Sequence, residues 1–118
     1  MDPRAIRIGQ TYWLDDVPPL DGGDPRRGTV IVVAPPHDGE VVVVATTTGE
    51  DPDETDAVFF EDEFPSPCYA IPRWTFMVRC ARLTEPARRD ITGVKLKDLL
   101  DRIEDASYVP RHRADDAG

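Results

Sequence analysis

Two cysteines in 118 residues are too few to staple a fold, and no Cys/His set at metal-ligand spacing accompanies them. Cys68 and Cys80 each stand beside apolar or β-forming neighbours, the setting of reduced, partly buried thiols. Long apolar runs are also missing. None approaches the roughly 20 residues of a membrane helix, and the N-terminal stretch is no basic-then-apolar leader. Export and membrane insertion are therefore not expected, and the cytoplasm is the expected location. Lysine is scarce, two residues against twelve arginines, and the formal net charge is −9. That balance argues against a general nucleic-acid binder, because non-specific affinity comes from cations displacing the counterions around phosphates. Gly22-Gly23 is followed by no Lys-Ser/Thr and no helix, so no phosphate-cradling glycine loop is present. No internal repeat is found.

What remains is a chain long enough to bury a real core as one domain, expected over residues 1–106 with a flexible tail at 107–118. The acidic charge is unevenly spread. From Asp15 to Glu63 fourteen acids meet two arginines, a net −12, whereas from Ile71 to Arg89 five arginines meet only Glu85, a net +4. A basic segment thus survives inside an acidic protein.

The hydrophobic pattern is mainly that of β structure. Ile8, Tyr12 and Leu14 share one face at period two, with Thr11 and Trp13 opposite, predicting a first strand that ends at Asp15-Asp16. Residues 17–28 hold three prolines and three glycines, which predicts a long loop of the kind that often carries function. Thr29 to Ala34 and Val41 to Thr47 read as a buried antiparallel hairpin turning at Asp38-Gly39. Gly49 to Asp56 is acidic and turn-rich, Ala57 to Glu61 is a short strand, and Phe64-Pro65-Ser66-Pro67 is a breaker. Between Arg73 and Leu83, Trp74, Phe76, Val78 and Cys80 share one face and Arg73, Thr75, Met77 and Arg79 the other. The period then changes: Leu96, Leu99, Leu100 and Ile103 form a helical stripe over about Lys95 to Ala106, with Asp98 and Arg102 as an i,i+4 pair. The fold class expected is β-rich α+β: a small, closed, SH3-like barrel of about five to seven strands with a C-terminal amphipathic helix, since closure removes exposed edges.

In order and spacing these segments resemble the MazF/PemK toxin family. The matching stretches are Gly9-Gln10-Thr11-Tyr12-Trp13, Gly22-Gly23-Asp24-Pro25-Arg26-Arg27-Gly28 running into Thr29-Val30-Ile31-Val32-Val33, Val41 to Thr48-Gly49, Ser66-Pro67-Cys68-Tyr69, and Ile91-Thr92-Gly93 before the helix. The resemblance spans roughly residues 8–106. It implies a homodimeric SH3-like barrel, a cognate antitoxin as partner, and metal-independent cleavage of single-stranded RNA with no cofactor. It places the family's catalytic arginine on Arg27 and its active-site threonine on Thr48. Gly28 stands where the family's Arg-Pro motif has proline, and Cys68 where a serine is general.

The chemistry suits these residues. When the RNA's own 2′-OH attacks, the protein has to move protons and stabilise an anionic phosphorane, and a guanidinium bonds two phosphate oxygens at once. Thr48 would orient the same phosphate through its hydroxyl. Arg26, Arg73 and Arg79 would guide the strand, while Trp13 and Tyr69 would stack splayed bases. Each has a plainer reading. Arg26-Arg27 would equally be a solvated pair balancing Asp21 and Asp24, Thr46-Thr47-Thr48 a strand end before Gly49, and Trp13 a core or interface residue. His37 is the one histidine in the folded part, but it lies at the hairpin end remote from Thr48. Glu61, Asp62 and Glu63 alternate faces, which fits a solvated run better than a converging site. The alternative function is a non-catalytic binding or regulatory module on the same barrel.

Overall fold

The computed structural model describes residues 5–20, 23–48 and 56–117, with the side chains of Thr48 and of 107–117 outside that description. Among the described residues there are six strands: β1 (Thr11–Val17), β2 (Arg26–Val32), β3 (Glu40–Thr48), β4 (Val58–Phe60), β5 (Cys68–Arg79) and β6 (Glu85–Pro86). A 3-10 turn, Cys80–Arg82, ends β5, and the helix α1 (Gly93–Ala117) follows β6. All pairings are antiparallel, in the order β4-β5-β3-β2-β1-β6. The result is the expected β-rich fold with a C-terminal helix, built as a curled half-barrel whose edge strands β4 and β6 do not pair with one another.

Alternation gives the sheet a core on each face. On one, Tyr12, Leu14, Val17, Val30, Val32, Val41, Val43 and Ala45 pack with Cys80 and Leu83, joined by half-buried Trp74, Phe76 and Val78. On the other, Ile31, Val44, Phe60, Phe64, Cys68 and Ala70 pack under Ile91 and Leu99. Three of the four residues of the expected helical stripe meet the core: Leu99 is fully buried and Leu96 and Ile103 flank it, whereas Leu100 is half-buried outside that cluster; Arg102 bonds Asp98 at 3.0 Å. The helix starts two residues before Lys95 and its backbone continues past Ala106.

Several boundaries differ from expectation for physical reasons. β1 starts at Thr11 and leaves Ile8 37% exposed, because Gly9 turns the chain at φ +97°. β5 starts at Cys68, five residues before Arg73, and absorbs Pro72 where its pairing with β3 shifts between Val44 and Thr46. A proline has no N–H to give a ladder, so an irregularity is where a strand accommodates one. The loop expected at 17–28 is shorter. Val17 still belongs to β1, and Arg26 and Arg27 already belong to β2, with Val17 paired to Arg26. The two arginines therefore sit on a strand and not in a solvated loop.

Beyond Phe60, the segment 61–66 is tied down from the far side of the chain. The Arg89 N–H donates to the Glu63 carbonyl at 3.0 Å, Arg88 donates to the Phe64 carbonyl at 3.3 Å, and Lys95 pairs with the Glu63 carboxylate at 3.1 Å. Burial acts to raise the Glu63 carboxyl, but the Lys95 hydrogen bond, backbone hydrogen bonds and the Lys95 charge together outweigh it and hold the group below the usual carboxylate range. Phe64, buried edge-on against Phe60 at 5.9 Å between centroids, anchors this segment beside the sheet.

Candidate active site

A cleft of about 870 Å³ opens at the end of the sheet where β2 begins and β3 ends. Its base is polar. Thr29 and Thr46 face each other across β2 and β3, their hydroxyls 2.5 Å apart, and the Thr46 hydroxyl also donates to the Thr29 carbonyl at 3.3 Å. Both residues are buried, and the contact satisfies their hydroxyls within the protein. Thr47, on the opposite face of β3, also lines the cleft. The structure adds Thr29 and Thr46 to the candidate residues; the register that sets them opposite one another departs from the one the Asp38-Gly39 turn implies.

Arg26, Arg27 and Arg73 line the cleft, with Asp24 the acid among its described lining residues. Arg27 is held on three sides. Its guanidinium carbon lies 4.8 Å from the centre of the Trp13 ring, one Nη donates to Asp15 at 2.5 Å, and the other donates to Glu85. These bonds raise the Arg27 pKa, the Asp15 hydrogen bond most, so the group is a permanent cation. Arg26 is exposed and has no ion-pair partner among the described residues. Trp13 is half-buried at the cleft edge, carrying Arg27 on its face, which places it between its two sequence readings.

The loop over the cleft is pinned by the second tryptophan: Trp74 Nε1 donates to the Pro18 carbonyl at 2.8 Å. Pro19 and Leu20 follow on the rim, and Phe64 to Ser66 form the wall contributed by the anchored segment. Gly28, where the family has proline, packs under Val17, close enough that an added Cβ would sit 3.4 Å from Val17 Cγ2.

Thr48 pairs with Cys68 across β3 and β5, and its side chain lies outside the described residues. The backbone nevertheless locates it. The β2–β3 ladder pairs Val32 with Val43, Ile31 with Val44 and Val30 with Ala45. The Thr29–Thr46 hydroxyl contact carries that register one residue further, and Thr48 lies two residues beyond Thr46 at the end of β3.

Other candidates fall elsewhere. Arg79 pairs with Glu40 at the opposite end of β5 from Cys68, about 25 Å away along the paired strand β3 at strand rise, and does not line the cleft. Tyr69 packs against Phe59 in a tilted pair, with ring centres 5.1 Å apart, and is also outside the lining. His37 bridges to Glu40 at the hairpin turn, its side chain 86% exposed, at that same remote end. Cys68 is fully buried, which pushes its thiol up to about 11; the Thr46 hydrogen bond opposes the rise and the Glu63 charge adds to it. A thiol so placed is neutral at pH 7 and is no nucleophile. Among the described residues, no three His, Cys, Asp or Glu side chains cluster as a metal-binding set, and no helix is long and apolar enough to cross a membrane.

No family model matches the chain and no curated protein matches its sequence. Solved structures do. A mycobacterial endoribonuclease, solved in complex with its cognate antitoxin, superposes with a TM-score of 0.65 at 19% identity, over 90% of this chain and 94% of that one. The Mycobacterium tuberculosis toxin MazF-mt6 superposes with a TM-score of 0.59 at 15% identity, over 82% of this chain and 94% of the other. Strand content, curl of the sheet, helix position and these two superpositions agree, and the chain carries a MazF-like toxin fold.

Proposed function

We propose that the chain is a MazF/PemK-like endoribonuclease that cuts single-stranded RNA, with the cleft between β2, β3 and β5 as its active site. The observation that carries this reading is the convergence of Arg26, Arg27 and Arg73 with the threonine hydroxyls in one cleft of an otherwise acidic protein. Arg27 stabilises the phosphorane, Thr48 orients the phosphate from the end of β3, and Arg26 and Arg73 guide the strand. Trp13 and Trp74 offer apolar faces for unstacked bases. The 2′-oxygen bonds to phosphorus as its proton leaves, and the 5′-oxygen departs with a proton. The products are a 2′,3′-cyclic phosphate and a 5′-hydroxyl. The substrate supplies its own nucleophile, so this route uses no metal or cofactor. An antitoxin partner belongs to the same proposal, supported by the neighbour solved with its cognate antitoxin, and the homodimer enters it from the sequence resemblance alone.

The purified protein, incubated with a varied pool of single-stranded RNA in the presence of a chelator, is expected to yield fragments bearing those two end groups, read by end-specific labelling. Intact RNA throughout, together with expression that does not slow growth, would overturn the reading. One observation favours the non-catalytic module instead: Arg27 is already engaged by two carboxylates. Under that alternative, neither cleavage nor toxicity depends on Arg27.

A further inference from the structure

The short strand β6 has a consequence for Arg27. Glu85 on β6 is registered opposite Trp13 on β1, and Trp13 is registered opposite Thr29 on β2. Arg27, two residues before Thr29 on the same strand face, reaches across the Trp13 ring to Glu85. On its other side β1 is bulged. Leu14 pairs with Gly28 and Val17 with Arg26, so Asp15 and Asp16 together face the single residue Arg27. Asp16 is taken by Arg82, leaving Asp15 for Arg27. Two backbone irregularities, a two-residue edge strand and a bulge, thus bring one carboxylate each to the two Nη atoms of the same guanidinium.

We propose that Asp15 and Glu85 are positioning residues for Arg27, a carboxylate clamp that sets the guanidinium over Trp13 and that the RNA phosphodiester must displace to be gripped. This rests on the nuclease reading for its ligand, but its physical content is separate. Asp15, Arg27 and Glu85 together carry a charge of −1, so an approaching phosphate meets a net-negative cluster and competes for the same N–H groups. The Arg27, Asp15 and Glu85 side chains are 47%, 79% and 55% exposed, and pairs this open are weak and readily exchanged for another anion. The clamp orients without locking. It also makes substrate affinity a balance between phosphate and carboxylate, screened by salt on both sides.

The test uses the full-length protein and inorganic phosphate as the probe, titrated at low ionic strength while the Arg27 Nε–H resonance is followed by NMR. Asp15→Asn and Glu85→Gln are each expected to tighten phosphate binding about threefold, and the double variant about tenfold, as expected for removing unit charges about 7 Å from the anion in water. The gain fades in high salt, and thermal melting confirms that each variant is folded. Where RNA is cleaved, the double variant lowers KM with no rise in kcat, a split that loss of fold alone does not produce. Phosphate binding that is unchanged or weaker in both folded single variants overturns the clamp. Tighter phosphate binding by a protein that leaves RNA intact upholds the clamp and removes the nuclease reading.

Discussion

Arg27→Ala is expected to lower RNA cleavage by about 100- to 1,000-fold, the usual effect of deleting one electrostatic donor from a transition state. The fold should survive the change. Arg27 lies on the surface strand end, and its pairs with Asp15 and Glu85 are solvent-exposed, so losing them costs the native state little. An unchanged melting temperature beside a collapsed rate would therefore report on chemistry. Arg27→Lys separates charge from geometry. Lysine keeps the cation but not the planar fork, and it is expected to recover only part of the lost rate. If Arg27→Ala cleaves as well as the parent, the phosphorane is stabilised elsewhere and Arg27 is only a partner for its carboxylates.

The largest effect on stability is expected from a residue with no chemical role, Gly9. Its φ of +97° lies in a region that L side chains rarely adopt, and a Cβ there would fall 2.3 Å from the Ile91 carbonyl oxygen. That atom is backbone and is itself fixed. The Gly9 N–H donates to the Val32 carbonyl at 2.8 Å, and the Gly9 carbonyl accepts from the Ile91 N–H at 2.7 Å. One residue thus joins the entry to β1, the end of β2 and the approach to α1. Gly9→Ala is expected to cost about 3 kcal/mol or more, from positive-φ strain and the forced separation of two backbones. For a chain of this length that is about 12 °C in melting temperature, measurable by thermal denaturation. A loss below about 1 kcal/mol would show that the Gly9–Ile91 approach relaxes freely.

The parts of the fold legible in the sequence were those with a period. The alternation of Trp74, Phe76, Val78 and Cys80 predicts the face they occupy, and the Leu96-Leu99-Ile103 spacing predicts the side of α1 that meets the sheet. The Asp38-Gly39 turn is present, with both residues at positive φ. Its register, however, does not carry down the hairpin. His37 bridges Glu40, while Val32 pairs with Val43, so four residues on the β2 side span the same gap as two on the β3 side. Pro35 and Pro36 lie in that longer arm. The turn alone would set Thr29 opposite Thr48; the shift sets it opposite Thr46, so the buried hydroxyl pair is not legible in the turn. β6 is not legible for another reason: two residues have no period, and Glu85-Pro86 becomes a strand only because β1 offers an edge. Arg26 and Arg27, flanked by Pro25 and Gly28, look like loop until Val17 is there to pair with. The clamp on Arg27 needs both of these tertiary events, so no local pattern announces it.

The most direct test of the site itself is NMR titration of the protein with a short oligoribonucleotide whose 2′-hydroxyls are methylated so that it binds without being cut. Binding in the cleft is expected to concentrate the shifts at Arg26, Arg27, Thr29, Thr46 and the two tryptophan indoles, with the Arg79 and His37 end of the sheet unmoved. Shifts gathered around Arg79 and His37, with the Arg27 cleft silent, would contradict it.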